Sequence, residues 1–137
     1  MKLVPDATWG LITLWMEGRG ETHAGKVAIA EVILNRTKQK YSSDGTVSGT
    51  CLRAFQFSAW NTTDTNRLVG AKLDDDDPVV QLCHKAWDEA NLNLTTNKPT
   101  VPGALLYYNP RIPAPAWVAK SDFVATVDHH NFYRPKV

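Results

Sequence analysis

The sequence predicts an α+β domain in which a helical body precedes a small portion of strands and loops. Up to Asn97, apolar residues recur at the spacing of helices. Beyond it, prolines at positions 99, 102, 110, 113 and 115 argue against further helices. Two short apolar segments in that portion have the character of strands. A length of 137 residues suits one domain, so we expect residues 1–137 to fold as a unit.

The first helix is predicted over residues 7–17. Asp6 precedes it and can act as its N-cap. Apolar residues cover a broad face of this segment, and Gly18 and Gly20 are expected to end it. The helix therefore leads directly into the stretch W-M-E-G-R-G-E, which contains Glu17 and Glu21.

The second helix is predicted from about His23 to Lys40 and should be the central buried helix. Its run V-A-I-A-E-V-I-L is apolar nearly all round, which is typical of a helix enclosed by its neighbours. Glu31 interrupts this run. It either points outward or is paired structurally, which we favour, or it lines a cleft.

The remaining elements are shorter. A short helix is predicted at about residues 50–55, after a polar loop. Asp77 then caps a helix that has Pro78 in its first position, and Cys83 falls on the apolar stripe of that helix. Two strands are predicted, with the sequences G-A-L-L-Y-Y-N and D-F-V-A-T-V.

Composition excludes several function classes. The chain has 15 basic and 14 acidic residues, so it lacks the basic excess of a protein held mainly by nucleic acid phosphates. No segment approaches the roughly 20 apolar residues of a membrane span. Neither H-E-x-x-H nor G-x-S-x-G is present, so we expect no metal site, no cofactor and no serine nucleophile. Cys51 and Cys83 are expected to be free buried thiols rather than a disulfide.

The two glutamates of W-M-E-G-R-G-E are the candidates for chemistry. A carboxyl group can act as a general acid near neutral pH when burial raises its pKa. Glu17 follows Trp15 and Met16 at the end of an apolar helix, and glycines after it allow close approach of a substrate. Glu21 precedes the second helix, where an acid also serves as a cap. We therefore favour Glu17, while a purely structural role for both acids stays open.

Two further segments combine aromatic and polar side chains in the way that sugar-binding sites do. These are Q-F-S-A-W-N at residues 56–61 and L-Y-Y-N-P at residues 106–110. Aromatic faces can pack against pyranose rings, while amide and hydroxyl groups bind the sugar hydroxyls.

Five motifs occur in order: M-E-G-R-G-E, V-A-I-A-E-V-I-L-N-R, Q-F-S-A-W-N, G-A-L-L-Y-Y-N-P and V-D-H-H-N-F-Y-R. In this combination the chain resembles the SleB-type cell wall hydrolases, a family of spore-cortex-lytic enzymes and some phage lysins. The resemblance covers about residues 8–134. Gly18, Glu31 and Ala59 depart from the usual family pattern, and Glu31 matters most because a second acid could favour hydrolysis by water.

The resemblance implies a lysozyme-like, lytic-transglycosylase-like fold and cleavage of peptidoglycan between N-acetylmuramic acid and N-acetylglucosamine. Glu17 matches the family's catalytic acid. Glu21 and Glu31 are the possible second acids if the reaction is hydrolysis. The other motif positions that the resemblance places along the cleft are Gln56, Phe57, Ser58, Trp60, Asn61, Tyr107, Tyr108 and His130.

The expected role is that of a monomeric phage endolysin. The N-terminus has no apolar stretch long enough for a signal peptide, so we expect synthesis in the host cytoplasm and release through a holin-like membrane pore. The enzyme would then act on the cell wall. The alternatives are an N-acetylmuramidase, a non-catalytic peptidoglycan-binding domain, and a zinc peptidase or amidase that cuts the stem peptide.

Overall fold

The structure is a computed structural model that describes residues 6–53, 57, 74 and 76–136. Helix α1 spans Asp6–Gly18, α2 spans His23–Gln39, α3 spans Val47–Cys51 and α4 spans Pro78–Thr95. Strand β1 spans Leu106–Tyr108, β2 spans Ser121–Val127 and β3 spans His130–Pro135. A 3-10 helix, Ala116–Lys120, precedes β2. The order of helices before strands agrees with the sequence prediction, and the 3-10 helix is a short exception to the expected absence of helices after Asn97.

Helix α2 is the centre of the hydrophobic core, as its apolar run predicts. Thr22 caps its N-terminus by accepting the backbone N–H of Gly25, and the helix ends at a left-handed Lys40. Ile29 and Ile33 are fully buried. Helices α1 and α4 pack against α2, and the core includes the largest fully buried side chain, Phe132 of β3.

Two helix starts differ in how they are capped. Asp77 accepts the backbone N–H groups of Val79 and Val80, which confirms the predicted cap of α4. Asp6 was predicted to cap α1, but that prediction is wrong. Its two carboxylate oxygens each accept a backbone N–H at the start of α3, both at 2.8 Å, so it joins two helices instead. The short helix α3 also begins earlier than the predicted residues 50–55.

The three strands form one antiparallel sheet in the order β1-β3-β2. Tyr107 pairs with Phe132, and Ala125 pairs with the same residue from the other side. A register irregularity between Phe123 and Ala125 bends β2. His130 is the first residue of the central strand β3, and His129 lies in the turn just before it, so both lie at the end of the sheet near the start of α2.

No helix in the described part of the chain is long and apolar enough to cross a membrane. Cys51 and Cys83 are both free and buried, as the sequence predicts.

Candidate active site

A cleft of about 210 Å³ opens between the end of α1, the α1–α2 connection and the loops at one end of the sheet. The elements that meet here are far apart in sequence, so the cleft depends on the whole fold. Its walls are formed by six residues: Glu17, Gly20, Glu21, Asn109, Arg111 and His129. Both acids of the W-M-E-G-R-G-E motif therefore face the same space, together with a guanidinium and an imidazole.

Glu17 lies in the last turn of α1, next to the buried side chains of Trp15 and Met16. The charge of Glu17 acts on groups deeper in the molecule. Burial raises the pKa of Tyr107 well above its ordinary value, and the negative charge of Glu17 adds to this effect. Glu17 is thus at the boundary between the open cleft and the buried face of β1.

Glu21 is held between two adjacent histidines. Its Oε2 lies 2.6 Å from Nδ1 of His129, and its Oε1 lies 2.6 Å from Nδ1 of His130. The side chain of Glu21 is only 7% exposed, so these imidazoles are its immediate surroundings. Burial lowers the pKa of His130, although the negative charge of Glu21 opposes that effect. Both carboxylate oxygens of Glu21 are therefore occupied in this structure.

Asp128 completes this junction from the β2–β3 turn, where it adopts a left-handed backbone with φ of 53°. Its Oδ2 accepts the backbone N–H of Thr22 at 2.7 Å, and this hydrogen bond lowers the pKa of Asp128. Gly25 allows the close packing, because a Cβ at that position would lie 2.9 Å from Cβ of Glu21. The start of α2 is therefore fastened to the β2–β3 turn.

In the described part of the chain, Glu21, Asp128 and His129 each have an atom that could bind a metal ion. These three atoms lie within 4.8 Å of one another, a separation that a metal ion could bridge. The same atoms already interact, because Nδ1 of His129 lies 2.6 Å from Glu21 and 3.5 Å from Asp128. We therefore interpret the group as a hydrogen-bonded junction.

Tyr107 and Tyr108 point to opposite faces of the sheet, because successive side chains of a strand alternate. Tyr107 faces the helices and packs edge-on against His130, with ring centroids 5.1 Å apart. Tyr108 instead packs against Trp117 and Tyr133 on the other face. Of the two predicted substrate-binding tyrosines, the structure brings Tyr107 to the side of Glu17 and Tyr108 to the opposite face of the sheet. A substrate-binding role for Tyr108 stays a prediction.

Glu31 lies away from the residues that line the cleft, which favours a structural role over that of a second acid. Its side chain is fully buried in α2. It accepts the backbone N–H groups of Thr100 and Val101 at 2.8 and 3.1 Å, and the amide of Asn93 at 3.2 Å. These contacts confirm the structurally paired alternative. Glu31 fixes the turn that connects α4 to the strands.

Phe57 is the one residue of the Q-F-S-A-W-N motif that the structure describes. Phe57 is buried, and the guanidinium of Arg36 lies 5.0 Å from its ring centroid. It thus packs in the core rather than along the cleft. The other predicted members lie outside the described residues: Gln56, Ser58, Trp60 and Asn61.

Besides Gly20, three cleft residues were not predicted as site residues: Asn109, Arg111 and His129. Asn109 belongs to the Y-Y-N-P motif, and His129 precedes the predicted His130 in V-D-H-H-N-F-Y-R. Membership in these two motifs could therefore have identified both residues. Arg111 follows Y-Y-N-P directly, and only its position after the end of β1 could have suggested it.

A second cavity, of about 590 Å³, lies between α1 and α4. Leu11, Val80 and His84 are among the residues that line it. It is larger than the first cavity, but none of the described residues that line it carries a carboxylate. Volume alone therefore does not identify the site, and the chemistry favours the cleft at Glu17.

Two solved structures define the class of this fold. The catalytic domain of the germination-specific lytic transglycosylase SleB from Bacillus anthracis aligns with a TM-score of 0.71 and 26% identity, covering 96% of this chain and 100% of that chain. The catalytic domain of the Bacillus cereus SleB protein aligns with a TM-score of 0.72 and 26% identity, covering 94% and 89%. The predicted lysozyme-like α+β fold is thereby confirmed.

The family follows from the sequence match. The family described as Cell Wall Hydrolase matches residues 20–133, and the chain belongs to that family. This result confirms the resemblance predicted from the five motifs and the assignment of the chain as a peptidoglycan-cleaving enzyme. A search of curated proteins gave no significant match.

Proposed function

We propose that the protein cleaves the β-1,4 bond between N-acetylmuramic acid and N-acetylglucosamine as a lytic transglycosylase, with Glu17 as its single catalytic acid and base. One observation carries the proposal. Of the two glutamates on the cleft wall, Glu21 has both carboxylate oxygens engaged by His129 and His130. Proton transfer to a substrate is therefore assigned to Glu17.

In the proposed reaction, protonated Glu17 donates its proton to the glycosidic oxygen as the bond breaks. Positive charge develops on the muramic acid ring, and the Glu17 carboxylate faces it. The same carboxylate then accepts the proton of the sugar's C6 hydroxyl, whose oxygen attacks the anomeric carbon. The product is a 1,6-anhydro-muramic acid end, and Glu17 is protonated again. No water is consumed, so the route requires no second carboxylate.

The Glu21 junction is assigned a positioning role in this reaction. It links the α1–α2 connection to the β2–β3 turn through His129 and His130. Glu17 lies four residues before Glu21, in the last turn of α1 that leads into this connection. A fixed junction of this kind limits the movement of the cleft walls relative to each other, and small misplacements of a catalytic group are costly.

Mass spectrometry of the fragments released from purified peptidoglycan tests the proposal. We expect ends that carry 1,6-anhydro-muramic acid, lighter by one water than the reducing ends of hydrolysis. Glu17→Gln should reduce release at least about 100-fold, the usual contribution of a general acid, while the unfolding temperature stays close to wild type. Release near the wild-type rate by this variant would refute the assignment of Glu17.

The second candidate function is an N-acetylmuramidase, and the position of Glu21 on the same cleft wall favours it. Hydrolysis needs a second carboxylate at about 5 Å in a retaining enzyme or about 6.5–9.5 Å in an inverting one. Reducing muramic acid ends would identify this route. Binding without any cleavage would instead identify a non-catalytic peptidoglycan-binding domain, and fragments cut only in the peptide would identify a peptidase or amidase.

We propose separately a biological role, that of a monomeric endolysin released by a holin-like pore, because the motifs resemble those of a family that includes phage lysins. Expression in a Gram-negative host should cause lysis only when a pore-forming protein is expressed with it. Equal lysis without the pore would contradict this role but would leave the proposed reaction untouched.

A further inference from the structure

The cleft contains a cation that the proposed reaction does not use. Arg111 lines the same space as Glu17 and is exposed. Both carboxylate oxygens of Glu21 are engaged by the two imidazoles rather than by this guanidinium. Positive charge develops on the sugar during bond cleavage, so a cation directed at the reacting carbon would oppose the reaction. Arg111 is therefore better suited to another part of the substrate.

The loop after β1 holds Arg111 in place. Its backbone N–H donates to Oδ1 of Asn109 at 3.0 Å, and the backbone N–H of Ile112 donates to the carbonyl of Asn109 at 3.1 Å. Pro110 between them restricts the backbone further. A guanidinium carried on a turn of this kind loses less backbone freedom when it binds a ligand.

The anions of the proposed substrate lie on its stem peptide. The acetylated sugars are uncharged, and the lactyl carboxyl of muramic acid is consumed in the amide bond to that peptide. The peptide itself carries carboxylates, such as that of its glutamate residue. A guanidinium pairs with a carboxylate through two parallel hydrogen bonds, so Arg111 and this part of the substrate are chemically matched.

We propose that Arg111 is a specificity-determining residue that binds a stem-peptide carboxylate, so that the enzyme prefers glycan strands bearing anionic peptides. This inference rests on the proposed function, because it takes peptidoglycan as the ligand of the cleft. It assigns Asn109 the role of holding the turn that presents Arg111.

The test compares native peptidoglycan with the same material after its stem carboxylates have been converted to amides. For the wild type, we expect KM to be about threefold to tenfold higher on the amidated material, with kcat little changed. Arg111→Ala should have this higher KM on both the native and the amidated material. On native material, the KM of Arg111→Lys should lie between those of wild type and Arg111→Ala. Lys38→Ala is the control, because Lys38 is exposed on α2 about 22 Å along the helix axis from His23.

Two results would overturn the inference. The first is a rise in KM of Arg111→Ala over wild type that is equal on the native and the amidated material, which would mean that Arg111 acts on the cleft acids or on the fold. The second is an unchanged KM of Arg111→Ala on both materials. Sedimentation with insoluble peptidoglycan in a Glu17→Gln background tests binding without turnover, and there Arg111→Ala should weaken binding to native material alone. Failure of the proposed function has a different signature, because wild-type enzyme would then release no anhydro ends from either substrate.

Discussion

Replacement of Glu31 by alanine should be strongly destabilising, although the side chain lies away from the cleft. Glu31 is fully buried and accepts hydrogen bonds from the backbone N–H groups of Thr100 and Val101 and from the amide of Asn93. Alanine leaves these donors without their acceptor. The N–H of Val101 is the most deeply buried of them, and an unsatisfied buried donor costs about 1–3 kcal/mol.

The other two donors are nearer to water, so we assign about 0.5–1 kcal/mol to each. The lost methylene adds about 0.8 kcal/mol, apart from any cavity. We therefore expect the free energy of unfolding to fall by about 3–6 kcal/mol. For a domain of this size, that corresponds to a decrease in Tm of about 10–20 °C.

Urea denaturation followed by tryptophan fluorescence measures this change. Glu31→Gln keeps the shape and one carbonyl oxygen, so it should lie between wild type and Glu31→Ala. Glu89→Ala is the matched control, because Glu89 is an exposed helical glutamate paired with His23 and such pairs contribute about 1 kcal/mol or less. An unfolding free energy of Glu31→Ala within 1 kcal/mol of wild type would refute the reasoning. Loss of activity in Glu31→Gln without loss of stability would indicate that Glu31 takes part in the reaction.

Three other predictions concern the rest of the chain. Glu21→Gln has only one side-chain oxygen to offer its two histidines, so activity should fall by about tenfold or more. Fragment analysis should still find anhydro ends, and reducing ends would contradict the prediction. Gly10→Ala should lower stability by about 1–3 kcal/mol in urea denaturation, because the added Cβ would lie 2.7 Å from Cζ3 of Trp87; an unchanged midpoint would contradict it. Burial raises the pKa of Cys51 to about 12 and that of Cys83 to about 11, which disfavours the reactive thiolate at pH 8; both should react with a thiol reagent only after unfolding, and rapid labelling of the native protein would contradict this.

The sequence predicts local features of this fold better than it predicts the site. The start of α4 follows from Asp77 and Pro78, and the burial of α2 follows from its apolar run, because each signal lies within the element itself. The partners of Glu31 could not be predicted in this way, since Thr100 is 69 residues away. His129 is 108 residues from Glu21, and only the register of the sheet brings them together.

Glu21 and Glu31 differ in the groups that surround their carboxylate oxygens, and this difference bears on the choice between the two reaction routes. Backbone N–H groups occupy Glu31 in the core, and imidazoles occupy Glu21 on the cleft wall. For Glu21 to activate a water molecule, one imidazole would have to be exchanged for that water, at a cost of about 1.5–3 kcal/mol for a charge-assisted hydrogen bond. In the proposed transglycosylase reaction, the sugar's own hydroxyl attacks, so no such exchange at Glu21 is required. The transglycosylase route is therefore the one that leaves the junction between α2 and the sheet intact.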